Sequence, residues 1–83
     1  MDMIIVEVSV PAVSMKFDFK MPTTRKIKDI TVEIVRMLEV TQSNLKFDSD
    51  IQLLCDLDQK KFLNPNATVA EMNIRDGSEL MLL

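Results

Sequence analysis

The stretch Thr68-Val69-Ala70-Glu71-Met72-Asn73-Ile74-Arg75-Asp76-Gly77-Ser78-Glu79-Leu80-Met81-Leu82-Leu83 decides the fold of this 83-residue chain. Thr68 and Glu71 have the spacing of a capping box, in which hydroxyl and carboxylate each accept the other's exposed backbone N–H. One short helical turn is predicted there. Asp76-Gly77 holds the only glycine in the chain, and a lone Gly after Asp marks a tight turn with positive φ. Glu79 to Leu83 then reads as a strand, apolar at Leu80, Met81, Leu82 and Leu83 alike. A nearly continuous apolar strand suits a central, parallel position with both faces at least partly covered.

Working outward, Ile4, Val6, Val8 and Val10 alternate with Ile5, Glu7 and Ser9, the two-residue period of a half-buried strand over Met3 to Val10. Pro11-Ala12-Val13-Ser14 reads as a turn. Beyond it, Met15, Phe17, Phe19 and Met21 alternate with Lys16, Asp18 and Lys20, which completes a β-hairpin. Pro22-Thr23-Thr24 ends the hairpin and offers hydroxyl N-caps. From there the period becomes helical: Ile27, Ile30, Ile34, Met37 and Leu38 form one stripe, widened by Val32 and Val35. The helix is expected to fade near Val40-Thr41. A third strand is predicted over Ile51 to Cys55 and a very short fourth at Phe62-Leu63. Asp56 to Lys61 and Asn64-Pro65-Asn66 read as turns.

Composition narrows function. A chain this short hides only about 60% of its unfolded surface, but 47% hydrophobic residues supply a core and exclude intrinsic disorder. The net charge of −3 argues against general nucleic-acid binding, which draws on clustered Lys and Arg. With no His, no Trp, no Tyr and one Cys, no nucleophile–base pair can be assembled, so no enzyme and no cofactor are expected. Cys55 reads as a small apolar strand residue. No segment approaches the roughly 20 apolar residues of a membrane span, and no signal peptide is visible, so direct membrane insertion is not expected and the expected location is cytoplasmic.

The element order is β-β-α-β-β-(short helical turn)-β, an α+β arrangement in which one helix covers a mixed sheet. Residues 1–83 are read as a single domain. The closing segment, from the threonine-capped turn through Asn73-Ile74 and Asp76-Gly77 to the final strand, resembles that of ubiquitin-like β-grasp domains. Ile27, Ile30 and Ile34 resemble that fold's buried helix positions, and Leu63 its short fourth strand. Pro22 followed by Ile27-Lys28-Asp29-Ile30, with Ile74-Arg75-Asp76-Gly77 near the end, is most similar to the YukD/EsaB accessory proteins of bacterial type VII secretion systems. That resemblance implies a stand-alone, non-catalytic component that binds protein partners of a secretion machine exporting small helical-hairpin substrates.

Ubiquitin-type modifiers and sulfur carriers end in a flexible Gly-Gly tail, whereas this sequence ends Leu80-Met81-Leu82-Leu83; conjugation is therefore not expected. If Leu53, Leu80 and Leu82 face the helix, alternation sends Leu54, Met81 and Leu83 outward. With Ile5 they make a candidate partner surface, on the sheet face that ubiquitin commonly presents to its binders. Lys16, Lys20, Arg25, Lys26 and Lys28 form a secondary basic patch at the hairpin and helix start. Asp48, Asp50, Asp56 and Asp58 lack EF-hand spacing and read as a solvated acidic edge. Head-to-tail pairing of acidic and basic sides, as in PB1-type scaffolds that resemble this fold, lacks their full acidic motif; the alternative reading is a ubiquitin-like scaffold or oligomerisation domain for an unrelated assembly. Met15, Met21, Met37 and Met72 are expected to fill the core.

Overall fold

In the computed structural model, residues 3–42 and 52–83 are described. Strand β1 (Met3–Val10) passes through a 3-10 turn (Pro11–Val13) into β2 (Met15–Pro22), followed by helix α1 (Ile27–Thr41), β3 (Leu54–Asp56), β4 (Lys61–Phe62) and β5 (Glu79–Leu82). The strands lie in the order β2-β1-β5-β3-β4. Among the described residues β1 and β5 run parallel, and the pairs β1–β2, β3–β5 and β3–β4 are antiparallel. This is the expected α+β, ubiquitin-like β-grasp arrangement, and the apolar β5 occupies the centre of the sheet.

The helix lies across one face. Ile27, Ile30, Ile34, Val35 and Leu38 are buried on it, against Val6, Val8, Val10, Leu80 and Leu82 of the sheet. Each such side chain contributes roughly 1.5–3 kcal/mol by leaving water. Thr31, also buried, returns its hydroxyl to the Ile27 carbonyl at 2.9 Å. Met21 is fully buried, Met15 and Met72 pack on the core margin, but Met37 is 36% exposed and does not fill the core. Val35 and Leu38, both expected in the stripe, complete its buried side without Met37, as a 3.6-residue period allows.

The helix start differs from expectation. Its N-cap is Lys26, whose side chain makes no capping hydrogen bond, rather than Thr23 or Thr24. The first orphan N–H groups are met by a distant part of the chain: Ile27 N–H donates to the Ala67 carbonyl at 2.9 Å and Lys28 N–H to that of Pro65 at 3.0 Å. Val69 N–H to the Arg25 carbonyl and Ala70 N–H to that of Thr23 continue the seam. A tertiary contact does the work that a capping side chain does elsewhere.

The capping box is present as read: Thr68 N–H donates to Glu71 Oε1 at 2.8 Å, and Glu71 N–H to Thr68 Oγ1 at 3.1 Å. The turn ends in a Schellman pattern, with Asn73 N–H bonded to the Ala70 carbonyl, Ile74 N–H to that of Val69, and Asn73 at φ +58°. Gly77 has φ +87°. Its N–H donates to the Ile5 carbonyl while Asp76 Oδ1 accepts from Ile5 N–H, which aligns β5 beside β1.

Asp56 is not part of a solvated edge. It is 1% exposed, and its carboxylate accepts from the N–H groups of Asp58 and Gln59 and from Gln59 Nε2, shaping the β3–β4 turn. Asp58 Oδ2 in turn accepts from Glu79 N–H at 3.0 Å. Asp48, Asp50 and Ile51 lie outside the described residues.

Candidate protein-binding face

The helix covers one face of the sheet and leaves the other open. Cross-strand partners share a face, so the register lays out that open face in rows. Lys16, Ser9, Met81, Cys55 and Phe62 form one row across all five strands. Asp18, Glu7 and Glu79 form the next, three carboxylates abreast. Ile5 and Lys20 follow. On the other side of the Met81 row, Leu53 and Leu83 exchange main-chain hydrogen bonds at 3.0 and 2.8 Å.

The face is thus split. Over β1 and β2 it is charged, and Lys16 reaches Glu7 at 3.6 Å. Over β5, β3 and β4 it is apolar, built from Leu53, Leu83, Met81, Cys55, Leu57 and Phe62. Phe62 is 60% exposed, Leu83 50% and Leu53 47%. A shallow hollow of about 320 Å³ opens among Cys55, Leu57, Phe62, Met81 and Leu83, with Lys60 and Lys61 on its rim. Scattered exposed hydrophobes are ordinary on protein surfaces; a contiguous group in register on one sheet face is less so.

Leu54 is not part of this face. It pairs with Leu82 and, at 2% exposed, belongs to the core. Pairing with Leu82 fixes its phase, so Leu53 and Cys55 point outward in its place. Met81 and Leu83 do point outward and lie together. Ile5, 47% exposed, shares the face but stands on the far side of the Glu7–Glu79 row from Met81. Sequence reasoning missed Phe62 and Leu53. The signal for Phe62 was available: with Leu63 inward, its neighbour in a short strand must point out.

The basic residues do not form one patch. Lys16 and Lys20 project from the open face of β2, whereas Arg25, Lys26 and Lys28 cluster at the helix start. Arg25 is turned along the helix, ion-paired to Glu33 and donating to the Asp29 carbonyl. Lys26 lies opposite Thr68. Hydrogen bonds from the Thr68 N–H and hydroxyl, together with the Lys26 charge, hold the Glu71 carboxyl below its ordinary range. Burial pushes the Cys55 thiol up, away from the thiolate a nucleophile requires. Among the described residues no cluster of three metal-ligating side chains occurs, and no helix is long and apolar enough to cross a membrane.

A five-stranded mixed sheet in the order β2-β1-β5-β3-β4, crossed by one helix, is that of a ubiquitin-like domain. Similar solved structures include the EccD5 ubiquitin-like domain from Mycobacterium xenopi (15% identity, TM-score 0.79, covering 100% of this chain and 94% of that one). Others are the ubiquitin-like domain of an Arabidopsis thaliana protein (18%, 0.77, covering 100% and 78%) and Caldiarchaeum subterraneum ubiquitin (12%, 0.76, covering 98% and 91%). At such identities the likeness shows the fold alone. Residues 4–82 match the family described as "WXG100 protein secretion system (Wss), protein YukD". The chain belongs to that YukD family. No curated protein sequence matches it significantly.

Proposed function

We propose that this chain acts by binding, as a non-catalytic, unconjugated cytoplasmic component of the type VII (WXG100) secretion machinery, and that the apolar half of its open sheet face receives a protein partner of that machinery. The observation that carries the reading is Phe62: a large aromatic side chain, mostly in solvent, seated in one row with Cys55 and Met81 and beside Leu83. Aromatic anchors surrounded by apolar neighbours dominate binding energy at protein interfaces. The flexible Met81 thioether adapts to a partner's shape.

The test is replacement of the chromosomal copy by Phe62→Arg or Met81→Arg in cells that use this secretion system. Both variants are expected to fold and accumulate normally, which immunoblotting and circular dichroism check, since neither side chain belongs to the core. Export of WXG100 substrates is expected to fall at least tenfold, as for loss of a hot-spot residue worth about 2 kcal/mol. Normal export with either variant overturns the assignment of this face.

A further inference from the structure

β2 is an edge strand: β1 lies on one side and no strand of the described residues on the other. Its main-chain groups can be oriented from the ladder. Glu7 N–H donates to the Ser78 carbonyl and the Ile5 carbonyl accepts from Gly77, so odd-numbered β1 residues face β5. Even-numbered β1 residues therefore face β2, and their partners Met15, Phe17, Phe19 and Met21 face back. The N–H and C=O groups of Lys16, Asp18 and Lys20 point away from the sheet, a template for another strand.

The sequence along that edge is a palindrome, Met15-Lys16-Phe17-Asp18-Phe19-Lys20-Met21. Antiparallel pairing with itself keeps every side chain on its proper face. Centred on Asp18, such pairing sets Asp18 against Asp18 and Lys16 against Lys20, which is repulsive. Moving the pairing by two residues preserves both faces and the hydrogen-bond alternation, and makes each charged pair opposite in sign. Two such registers exist. The one centred on Phe17 uses Lys16, already engaged with Glu7. The one centred on Phe19 uses Asp18 and Lys20, neither of which has an ion pair among the described residues.

Asp18 has reason to accept a cation. It stands directly opposite Glu7, which itself stands beside Glu79, and like charges facing one another across strands are destabilising. On the helix side, the Phe19-centred register brings Phe19 against Phe19 and Phe17 against Met21 of the second copy. It covers aromatic rings that one chain alone leaves partly exposed.

We propose that two copies of this chain join edge to edge through β2, antiparallel and centred on Phe19, with Asp18 of each copy facing Lys20 of the other. The two Asp18–Lys20 pairs exchange main-chain hydrogen bonds, and the two five-stranded sheets become one. This inference is independent of partner binding at Phe62, which lies on β4 at the opposite edge.

Sedimentation equilibrium of the purified chain over a range of concentrations tests it, with circular dichroism as the check on folding. The wild-type chain dimerises with rising concentration. Asp18→Lys and Lys20→Asp each weaken self-association at least about tenfold, because both symmetric pairs become repulsive. An equimolar mixture of the two variants associates as a heterodimer with wild-type strength, since one presents two cations where the other presents two carboxylates. Phe62→Arg dimerises like wild type. A wild-type chain that stays monomeric throughout, single variants that associate undiminished, a mixture that fails to associate, or a Phe62→Arg chain that loses dimerisation would each overturn the proposal.

Discussion

Around β5 the two faces of the sheet carry similar apolar residues put to different use. On the helix side, Val6, Val8, Leu80 and Leu82 are sealed under Ile27, Ile30 and Ile34, and the rim is stitched by main-chain bonds from residues 65–70. On the open side, Leu83, Leu53 and Phe62 are equally apolar yet largely exposed, and Met81 is half-buried among them. The same β5 strand feeds both. Hydrophobicity alone therefore does not separate core from surface here; the phase of each side chain does.

The sharpest way to break that comparison is at two adjacent residues. Leu54→Ala empties a packed site and is expected to cost about 2–5 kcal/mol in urea unfolding. Leu53→Ala, one position away and on the other face, should cost under about 1 kcal/mol. Equal losses would mean that the open face is structurally as important as the covered one.

A smaller effect probes the seam that seals the covered face. Thr68→Ala removes half of the capping box and should cost about 0.5–2 kcal/mol. Glu71 supplies the other half, and its folded-state carboxyl titrates below the ordinary value of 4.5. A lowered folded pKa gives stability that is present above the unfolded value and disappears as pH falls through the folded one. The difference in melting temperature between wild type and Glu71→Gln should be greatest near neutral pH and shrink progressively below about pH 4.5, where the wild-type carboxyl also becomes neutral. A gap that stays constant into acid would show that the carboxylate charge is irrelevant to the seam.

The smallest effect concerns reactivity and leaves stability almost untouched. Cys55 sits half-buried in the row between Met81 and Phe62, with its thiol pKa raised by burial. Alkylation by iodoacetamide at pH 8 should run slower than for an unstructured cysteine and speed up in Phe62→Ala. No change in rate would mean that Phe62 does not shelter this part of the face.

Much of the fold was legible because its signals were local. The alternation of Met3 to Val10, the Thr68–Glu71 box and the lone Gly77 each state one conformation. What was not legible depended on long-range pairing. Leu53 and Leu54 are adjacent leucines, and only the register with Leu82 says which turns inward; Gln52, polar yet in the inward phase, pointed the other way. The helix start escaped notice because the partners of the Ile27 and Lys28 N–H groups, the carbonyls of Ala67 and Pro65, lie some forty residues along the chain, a separation at which no local sequence pattern operates. Asp56 looked like one more surface carboxylate until its turn gave it three donors. Phe62, the anchor of the candidate site, was legible in principle from its inward neighbour Leu63.

The central position of β5 has a consequence for the birth of the molecule. Among the described residues it is the last of five strands, yet it joins the β1–β2 pair to the β3–β4 pair. While the chain emerges from the ribosome, the hairpin, the helix and the β3–β4 turn can each form, but they remain two unjoined halves around a strand-wide gap. During that interval both flanks of the gap expose unpaired edges, and the nascent chain is at its most vulnerable to aggregation and proteolysis. Loss of a few residues from this strand would leave the two halves of the sheet unjoined.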